Sequence, residues 1–379
     1  MSAAALDPVL ARGERMARVR DAMRAADVDV LLLSLGADLP WLCGYEAMPL
    51  ERITMLVVPV DDEATLVVPE LEAPRVAHDS RLFRLRPWRE IEDPIALIVG
   101  LVGRATRLGI SDRTWASHLL ALEKALPAAT FAPAGRVTSR LRAIKDPAEV
   151  AALRAAGAAA DRVSDALLGG EIRLAGRTEA EVSKEIGERL VAEGHRRVNF
   201  AIVGSGPNSA SPHHEPGARV IGAGEPVVCD FGGTYYLDDS VGYCSDTTRT
   251  VVAGGAEPDP EFRELYRVLE DAQRRAVEAS VVGTPCEQVD AVGRELIAAA
   301  GYGDAFIHRI GHGIGIEEHE DPYMVSGNSE PLTAGHAFSV EPGIYLQGRF
   351  GARIEDILVA TGDGPLACNA ADHSLHVVN

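Results

Sequence analysis

The sequence predicts two domains, an α/β domain over residues 1–143 followed by an α+β domain over residues 144–379. Three observations lead to this prediction. A chain of 379 residues is long for a single domain. Short apolar strands alternate with helices in the first part, whereas longer strands separated by Gly/Pro turns fill the second. The sequence signal for the start of a helix, at Asp146 and Pro147, lies between these two parts of the chain.

The first domain is predicted as a compact unit with mixed strand directions. An amphipathic helix opens the chain, and strands follow at VDVLLLS (28–34), ITMLVVPV (53–60) and ATLVVP (64–69). Apolar, β-branched runs of this length suit buried strands. EDPIALIVGLVGR and WASHLLALEKAL are predicted helices, with short strands at RLGI and ATFAP around them.

The second domain begins with two capped helices. Asp146 caps the first, Pro147 takes its first position, and Glu149 completes a capping box before the Gly169-Gly170 stop. The second helix begins at Thr178, again with a capping pattern, and ends at Gly194. Two further helices are predicted at about 260–282 and 286–300.

The strands of the second domain are VNFAIVGSG, EPVVCDFGG, TTRTVVAGG, GHAFSVEPGIY and ARIEDILVA. Long strands with two helix pairs predict one sheet that carries helices on its outer face. Two helices followed by strands occur twice, over 146–240 and 260–360, which indicates a duplicated half.

Composition restricts the possible partners and the compartment. Hydrophobic residues make up 46% and charged residues 25%, as in ordinary globular proteins. The formal net charge of −19 disfavours nucleic acid, which needs a basic face. The five cysteines are an odd number without a C-x-x-C pair, which predicts no disulfide framework. With no signal-peptide pattern and no long apolar run, we expect a cytoplasmic protein without a membrane partner.

Four acids and one histidine fall at strand ends or on buried-looking strands: Asp230, Asp246, His312, Glu341 and Glu355. Each alone has an ordinary reading as a turn former, a loop residue or, for Glu355, an ion-pair partner of Arg353. Carboxylates buried together raise one another's pKa, so their convergence requires a cation.

This donor set suits two divalent metal ions. Oxygen-rich sites with few nitrogens favour Mn²⁺, with Co²⁺, Zn²⁺ or Fe²⁺ able to substitute. Asp246 could bridge the two ions, which would hold a hydroxide and polarise a carbonyl. Thr248 shares a strand face with Asp246 and is expected to hydrogen-bond to it.

Other candidate residues receive ordinary structural interpretations. Cys229 and Cys244 flank the site strands and are predicted to pack in the core. The acids Glu317, Glu318 and Glu320 are predicted to be solvated. The GHGIG segment lacks the downstream lysine and the helix cap of a phosphate-binding loop.

The runs VVCDFGG…GYCSDTTRT, HRIGHGIGIEEHE, SVEPGIY and ARIEDILV resemble, in order and spacing, the pita-bread metallopeptidases. More narrowly they resemble the prolidase and aminopeptidase P branch, with creatinase as a relative. LPWLCGY (39–45) and LRAIKDPAEVAALRAA are similar to the N-terminal domain and linker of this family, so nearly the whole chain is covered. The resemblance implies a creatinase-like N-terminal domain, a pita-bread catalytic domain and, usually, a homodimer.

The resemblance also implies a role for each metal ligand. Asp230 matches the acid that chelates one metal, and Asp246 and Glu355 match the bridging carboxylates. His312 and Glu341 match the ligands of the other metal, and Glu341 is the implied general base. Asp246 follows Asp230 by 16 positions, a longer hairpin than is usual in the family. Its extra acids, Asp238 and Asp239, are not expected to be ligands because no TTRT strand follows them.

Substrate contacts are implied in the same way. His213 matches the substrate-binding histidine of the family, and its neighbour His214 is the less favoured candidate. His308 and His319 match residues that line the site, bind substrate and stabilise the tetrahedral intermediate. Arg353 matches a site arginine that would orient the carboxylates.

The function implied by the resemblance is metal-dependent hydrolysis of Xaa-Pro bonds in small peptides with proline at the second position. Prolidase is the first expectation, followed by aminopeptidase P and by a metal-dependent hydrolase of a non-peptide amide. Metal-free hydrolysis of the creatinase kind and a non-catalytic binding protein are disfavoured because all five ligand positions are present. The sequence does not identify an arginine for the free carboxylate of a dipeptide.

Overall fold

The computed structural model describes residues 8–237 and 241–379. Contacts divide the chain into two compact units. The described residues up to Arg142 belong to the first unit, and residues 143–237 and 242–379 form the second. The predicted boundary after residue 143 lies one residue from this division, and the assignment of the two domains to residues 1–143 and 144–379 stays a prediction.

The first unit is a mixed sheet with helices. Its helices are α1 (Pro8–Ala25), α2 (Asp38–Cys43), α3 (Pro94–Val102), α4 (Ala116–Ala125) and α5 (Gly135–Ala143). Its strands are β1 (Val30–Leu33), β2 (Met55–Pro59), β3 (Thr65–Pro69), β4 (Arg84–Trp88), β5 (Arg107–Ile110) and β6 (Thr130–Pro133). The sheet order is β4-β3-β2-β1-β5-β6. The neighbours of β2 are antiparallel to it and the other pairs are parallel, as the mixed directions predicted.

The second unit contains two helix pairs. These are α6 (Pro147–Leu168) with α7 (Glu179–Ala192), and α8 (Pro260–Ala279) with α9 (Cys286–Ala299). Both predicted capping boxes are confirmed, since the side chains of Asp146 and Thr178 accept from backbone amides and Glu149 and Glu181 reciprocate. Sequence predicts these helix starts well because the caps are local.

Twelve strands complete the described part of the second unit. They are β7 (His195–Ser205), β8 (Pro226–Tyr235), β9 (Tyr243–Cys244), β10 (Thr247–Ala253), β11 (Gly311–Gly313), β12 (Glu320–Met324), β13 (Ala337–Val340), β14 (Gly343–Leu346), β15 (Phe350–Arg353), β16 (Asp356–Thr361), β17 (Gly364–Ala367) and β18 (Val377–Val378).

The expectation of one sheet in this unit is wrong. One sheet has the order β18-β10-β8-β7, with β9 paired to β8, and another has the order β12-β11-β13-β16-β17. Strands β14 and β15 form a separate hairpin. An isolated antiparallel bridge between Thr248 and Glu355 joins the first sheet to the start of β16. Each helix pair shares a hydrophobic core with one five-stranded sheet, α6 and α7 with the first and α8 and α9 with the second.

Strand breaks explain the difference. The predicted strand GHAFSVEPGIY is split into β13 and β14 at Glu341 and Pro342. The predicted strand ARIEDILVA is split into β15 and β16 at Ile354 and Glu355. Proline cannot donate to a strand ladder, so the chain turns at Glu341 instead of continuing. By contrast, β8 runs through Asp230 to Tyr235 without a break, two residues beyond the predicted strand EPVVCDFGG.

Asp238 and Asp239, which were judged not to be ligands, lie outside the described residues. Among the residues that the structure describes, no helix is both long and apolar enough to cross a membrane.

Candidate active site

A cavity of about 810 Å³ opens in the second unit. All nine residues proposed from the sequence line it: His213, Asp230, Asp246, His308, His312, His319, Glu341, Arg353 and Glu355. Its wall also contains residues outside this proposed set, of which Arg309 and Glu318 carry charges. The residues are far apart in sequence, so the fold brings the predicted constellation together.

Neighbouring strands bring the four carboxylates to one place. Asp230 lies within β8, and its register partner on β10 is Thr248. Asp246 directly precedes β10. The bridge from Thr248 places Glu355 beside the same strand. Glu341 follows β13, which pairs with β16 so that Val340 lies opposite Asp356.

His312 completes this group from β11. Its Nε2 atom lies 3.2 Å from Glu341 Oε1 and 3.8 Å from Asp246 Oδ2. Its Nδ1 atom lies 3.1 Å from the Gly313 carbonyl oxygen, so Nδ1 donates. Burial, followed by the nearby His319, lowers the pKa of His312 to about 3, so the ring is neutral and Nε2 carries a lone pair. A lone pair therefore faces carboxylate oxygens, an arrangement that a cation between them would stabilise.

The pKa values of the carboxylates also indicate a site for cations. Burial and then the charges of Glu355, Asp230 and Glu341 raise the pKa of Asp246 well above its usual value. Burial and then Glu341 and Asp230 do the same to the pKa of Glu355. Burial raises the pKa of Glu341 to about 7, against the opposing effect of Arg353. Mutual repulsion of this kind is what bound cations relieve.

Two further observations fit a metal centre. Ligand atoms of Asp246, His312 and Glu355 all lie within 4.8 Å of one another, close enough to share one ion. Asp230 Oδ1 is buried and has no hydrogen-bond partner among the described residues. A buried carboxylate oxygen without a donor is unfavourable unless a cation satisfies it. The residues present therefore fit divalent metal ions.

Arg353 lies behind the carboxylates and uses all of its nitrogens. Its Nη2 atom donates to Asp230 Oδ2 at 2.5 Å, and its Nε atom donates to Thr248 Oγ1 at 3.0 Å. Thr248 Oγ1 in turn donates to Glu355 Oε2 at 2.7 Å. The expected bond from Thr248 to Asp246 is therefore wrong, because the bridge between β10 and β16 places Glu355 next to the hydroxyl. Arg353 is thus fixed against two predicted ligands.

Tyr345 is a site residue that the sequence analysis missed. Its hydroxyl accepts from Arg353 Nη1 at 2.9 Å and lies 2.9 Å from His308 Nε2. The hydroxyl proton therefore points to His308 Nε2, while His308 Nδ1 donates to the Arg309 carbonyl oxygen at 2.7 Å. Both ring nitrogens of His308 are occupied, and burial lowers its pKa to about 4. Only pairing across the β14–β15 hairpin reveals this role of Tyr345.

Unlike His308, whose ring nitrogens are both occupied, His319 retains a ring N–H that can donate a hydrogen bond. Arg309 Nη2 lies 3.3 Å from His319 Nδ1, and a guanidinium can only donate. Partial burial, followed by Arg309, lowers the pKa of His319. Because Nδ1 faces a donor, the neutral tautomer carries its proton on Nε2. The His319 ring contacts that of His312, with 3.9 Å between the ring centroids and the ring planes tilted by 36°. His319 can therefore donate one hydrogen bond beside the predicted metal ligand.

The two adjacent histidines of the PHHEPG segment separate. His213 lines the cavity, as predicted. His214 Nε2 instead lies 2.8 Å from the buried carboxylate of Glu179 at the start of α7. The preference for His213 over His214 as the cavity residue agrees with this geometry.

Two interpretations of neighbouring residues have different outcomes. Cys229 packs in the hydrophobic core, as predicted. The prediction that Glu320 is solvated is wrong, because Glu320 is 5% exposed and its Oε2 atom lies 3.1 Å from Lys145 Nζ. Pairing with a lysine far along the chain makes this burial possible, and that pairing has no local signal in the sequence.

Clustered carboxylates with one imidazole, placed between two helix-backed sheets, define a metallohydrolase. Comparison with known families makes this more specific. The model of metallopeptidase family M24 matches residues 151–362, and the creatinase/prolidase N-terminal domain matches residues 15–144. The chain therefore belongs to metallopeptidase family M24, in its prolidase and aminopeptidase P branch.

Three relatives illustrate the similarity. The crystal structure of dipeptidase PepE from Mycobacterium ulcerans is 42% identical, with a TM-score of 0.89 over 98% of both chains. The Xaa-Pro dipeptidase of Lactobacillus helveticus is 34% identical over 92% of this chain and 95% of its own length. The crystal structure of recombinant prolidase from Thermococcus sibiricus is 33% identical, with a TM-score of 0.89 over 97% of this chain and 99% of that chain.

These matches confirm the predicted fold class, a creatinase-like N-terminal domain followed by a pita-bread catalytic domain. They also establish that the protein is a peptidase. Membership of the family implies divalent metal ions, for which the cavity holds a fitting ligand cluster.

Proposed function

We propose that the protein is a two-metal Xaa-Pro dipeptidase that cleaves small peptides with proline at the second position. The observation that carries this proposal is one cavity that holds both the five proposed metal ligands and a guanidinium, Arg309, which has no carboxylate partner among the described residues. The relatives named Xaa-Pro dipeptidase and prolidase support the same substrate class.

The proposed ligands divide as the family pattern implies. Asp230 would hold one ion, His312 and Glu341 would hold the other, and Asp246 and Glu355 would be shared between them. Four carboxylates with one imidazole favour Mn²⁺, and Co²⁺, Zn²⁺ or Fe²⁺ would fit the same donors. When bound, the two ions supply Lewis-acid polarisation of the scissile carbonyl and make a water nucleophilic at neutral pH.

Residues of the chain perform the proton transfers. Glu341 accepts the proton of the attacking water and passes it to the departing prolyl nitrogen. Its position next to His312 Nε2, 3.2 Å from Glu341 Oε1, places this carboxylate at the proposed metal centre, where the attacking water would be held. His319 donates its Nε2 proton as a hydrogen bond to the developing oxyanion.

The remaining site residues orient these groups and the substrate. His213 contacts the substrate from the cavity wall. Arg353 holds Asp230 directly and Glu355 through Thr248. His308, whose nitrogens are both occupied, acts by fixing Tyr345 against Arg353 rather than by giving up a proton.

Arg309 supports a dipeptidase over an aminopeptidase that takes longer peptides. Its guanidinium rests 4.4 Å from the centroid of the Tyr323 ring and forms no ion pair among the described residues. The other arginine of the cavity, Arg353, is already paired with Asp230. A dipeptide places a free carboxylate two residues from its amino terminus, and a guanidinium recognises a carboxylate with charge-assisted hydrogen bonds.

A panel of substrates with Mn²⁺ tests the proposal. Ala-Pro should be cleaved faster than a longer Xaa-Pro peptide, and Met-Ala and creatine should not be cleaved. Faster cleavage of the longer peptide would make the protein an aminopeptidase P instead. Turnover of creatine or another non-peptide amide, with no cleavage of Ala-Pro, would remove the Xaa-Pro assignment. The predicted homodimer and cytoplasmic location stay predictions, and sedimentation of the purified chain addresses the first.

A further inference from the structure

The loop between β7 and β8 forms part of the cavity wall, yet most of it has no regular structure. Residues Gly206–Ala210 form a single 3-10 turn, and residues 211–219 form neither helix nor strand. Within this second stretch, Ser211, Pro212 and His213 line the cavity. Side-chain contacts therefore have to fix the position of His213, because no backbone ladder does so.

Glu179 provides these contacts from the first position of α7. Its side chain is fully buried. Its Oε1 atom accepts from the Ser205 amide at 2.8 Å and from Ser205 Oγ at 2.7 Å. The side-chain amide nitrogen of Asn208, Nδ2, donates to both carboxylate oxygens, at 3.0 Å and 3.1 Å. His214 Nε2 completes the set at 2.8 Å from Oε2. One carboxylate thus binds three points in the first half of the loop.

The backbone of α7 holds the far side of the same loop. The amides of Glu179 and Ala180 donate to the carbonyl oxygens of Arg219 and Gly217, each at 3.0 Å. Burial opposes the ionisation of Glu179, but hydrogen bonds from Ser205 and His214 outweigh it and lower its pKa. The carboxylate is therefore charged, and it sits where a helix N-terminus favours negative charge.

Of the residues that contact Glu179, His214 is the one that affects the position of a cavity residue. It directly follows His213, so a fixed ring at position 214 limits how residue 213 can rotate. The preceding residue contributes too, since the Pro212 carbonyl oxygen lies 3.4 Å from both terminal nitrogens of Arg353. A shift of this segment would move His213, whereas Arg353 would keep its shorter bonds to Asp230, Thr248 and Tyr345.

We propose that His214, bound to Glu179, is a positioning residue that fixes His213 in the substrate cavity. Because His213 contacts substrate rather than a metal ion, the pair acts on substrate binding and leaves the metal ligands in place. The inference rests on the proposed function for its kinetic test, whereas its structural test does not need activity.

The kinetic test compares His214→Ala, His214→Gln and His376→Ala on Ala-Pro with Mn²⁺. His214→Ala should raise KM about tenfold with kcat within about threefold of wild type, as expected for a misplaced binding group. His214→Gln should recover most of this loss, since its amide can still donate to Glu179. His376→Ala removes a histidine–carboxylate contact of the same length, 2.8 Å to Asp372, outside the cavity, and should leave KM unchanged.

The structural test is amide hydrogen exchange of the metal-loaded proteins. In His214→Ala, residues 206–217 should exchange faster than in wild type, with the other segments and the Mn²⁺ content unchanged. Wild-type KM and wild-type exchange in His214→Ala would overturn the inference, and so would a loss of bound Mn²⁺. If wild type does not cleave Ala-Pro, the proposed function fails, while the exchange result still decides the role of His214.

Discussion

At the scale of single residues, the cavity combines groups that repel one another with groups that are fully satisfied. His312 Nε2 faces carboxylate oxygens at 3.2 Å and 3.8 Å, and Asp230 Oδ1 has no donor among the described residues. Arg353, by contrast, uses every nitrogen. The atoms that lack a hydrogen-bond donor face the space where a cation would lie, and fully hydrogen-bonded groups surround that space. Single substitutions should therefore have different effects on metal binding, turnover and substrate binding.

Glu341→Gln tests the proposed base. The amide cannot accept the proton of the attacking water, so turnover of Ala-Pro should fall by about 10²- to 10⁴-fold. The fold should survive, because glutamine can still accept from Ser339 Oγ, which lies 3.1 Å from Glu341 Oε1. Steady-state kinetics with saturating Mn²⁺ measure the effect, and Glu295→Gln, on an exposed position of α9, is the control. Turnover within tenfold of wild type would exclude Glu341 as the base.

Asp230→Asn and Asp238→Asn separate the proposed ligand from the acid in the longer hairpin. An amide at position 230 is a weaker metal ligand and leaves Arg353 without its charged partner, so bound metal should fall below two equivalents. Asp238→Asn should keep the metal content and most of the activity. Metal analysis after dialysis measures both variants. Loss of metal from Asp238→Asn alone would mean that the ligand was assigned to the wrong acid.

Arg309→Met tests recognition of the substrate carboxylate. Loss of charge-assisted hydrogen bonds of about 1.5 to 3 kcal/mol should lower kcat/KM for Ala-Pro by roughly 10- to 100-fold. Ala-Pro amide lacks this carboxylate, so its cleavage should change much less. The ratio of the two kcat/KM values in wild type and variant is the measurement. Equal losses on both substrates would show that Arg309 acts through His319, which its Nη2 atom contacts.

At the scale of elements, the buried ion pair of Lys145 and Glu320 connects the start of the second unit to β12. The two side chains are 1% and 3% exposed. Glu320 Oε1 also accepts from the Glu317 amide at 3.1 Å, in the segment that carries His319. A buried pair of this kind contributes little net stability, but removing one partner leaves an uncompensated charge.

Lys145→Met should therefore lower the free energy of unfolding of the second unit by about 3 to 5 kcal/mol. The double variant Lys145→Met, Glu320→Leu should be less destabilised than the single one, because it also removes the buried carboxylate that Lys145 Nζ contacts. Thermal melts followed by circular dichroism compare the three proteins. A double variant that is less stable than the single variant would contradict this account.

Some features of the helices and strands could be predicted from the sequence, and others could not. The capping boxes at Asp146 and Thr178 were readable because their hydrogen bonds span three residues. The nine cavity residues were predicted because their motifs resemble those of a known family, and the fold brings all nine to one cavity. Tyr345, Arg309 and the pair of Lys145 with Glu320 depend on contacts between distant segments, which carry no local pattern. The break at Glu355 was missed because it lies within an apolar run that resembles a continuous strand, whereas the Pro-Gly sequence after Glu341 marks the other break.

At the scale of the whole molecule, the acidic centre makes stability depend on metal and pH together. Buried histidines complicate this dependence, since burial lowers the pKa values of His195, His308 and His336 to about 4 and of His312 to about 3. Unfolded histidines bind protons below about pH 6.5, so these residues make the fold gain stability as pH rises to that value. Above it they are neutral in both states and contribute no further change.

The buried carboxyls have the opposite effect on the stability of the fold, and they have it over a higher pH range. Burial and mutual repulsion raise the folded-state pKa values of Asp246 and Glu355 well above normal, and burial raises that of Glu341 to about 7. In the unfolded chain these groups are ionised above about pH 5. A group with a raised folded-state pKa stabilises the fold at low pH, and this contribution is lost as pH rises through that pKa. From about pH 6.5 to 8, the metal-free protein should therefore lose stability.

The expected loss is about 1.4 kcal/mol per pH unit for each carboxyl that stays protonated only in the fold. Saturating Mn²⁺ should abolish the decline, because bound cations stabilise the ionised carboxylates and favour the folded state by mass action. Thermal melts of the chelator-treated protein at pH 6.5 and 8, with and without Mn²⁺, measure the effect. Glu341→Gln removes one of the titrating groups and should make the metal-free decline shallower. A metal-free melting temperature that rises with pH over this range would mean that the carboxylates do not repel one another in the fold, and the two-metal centre would lose its physical basis.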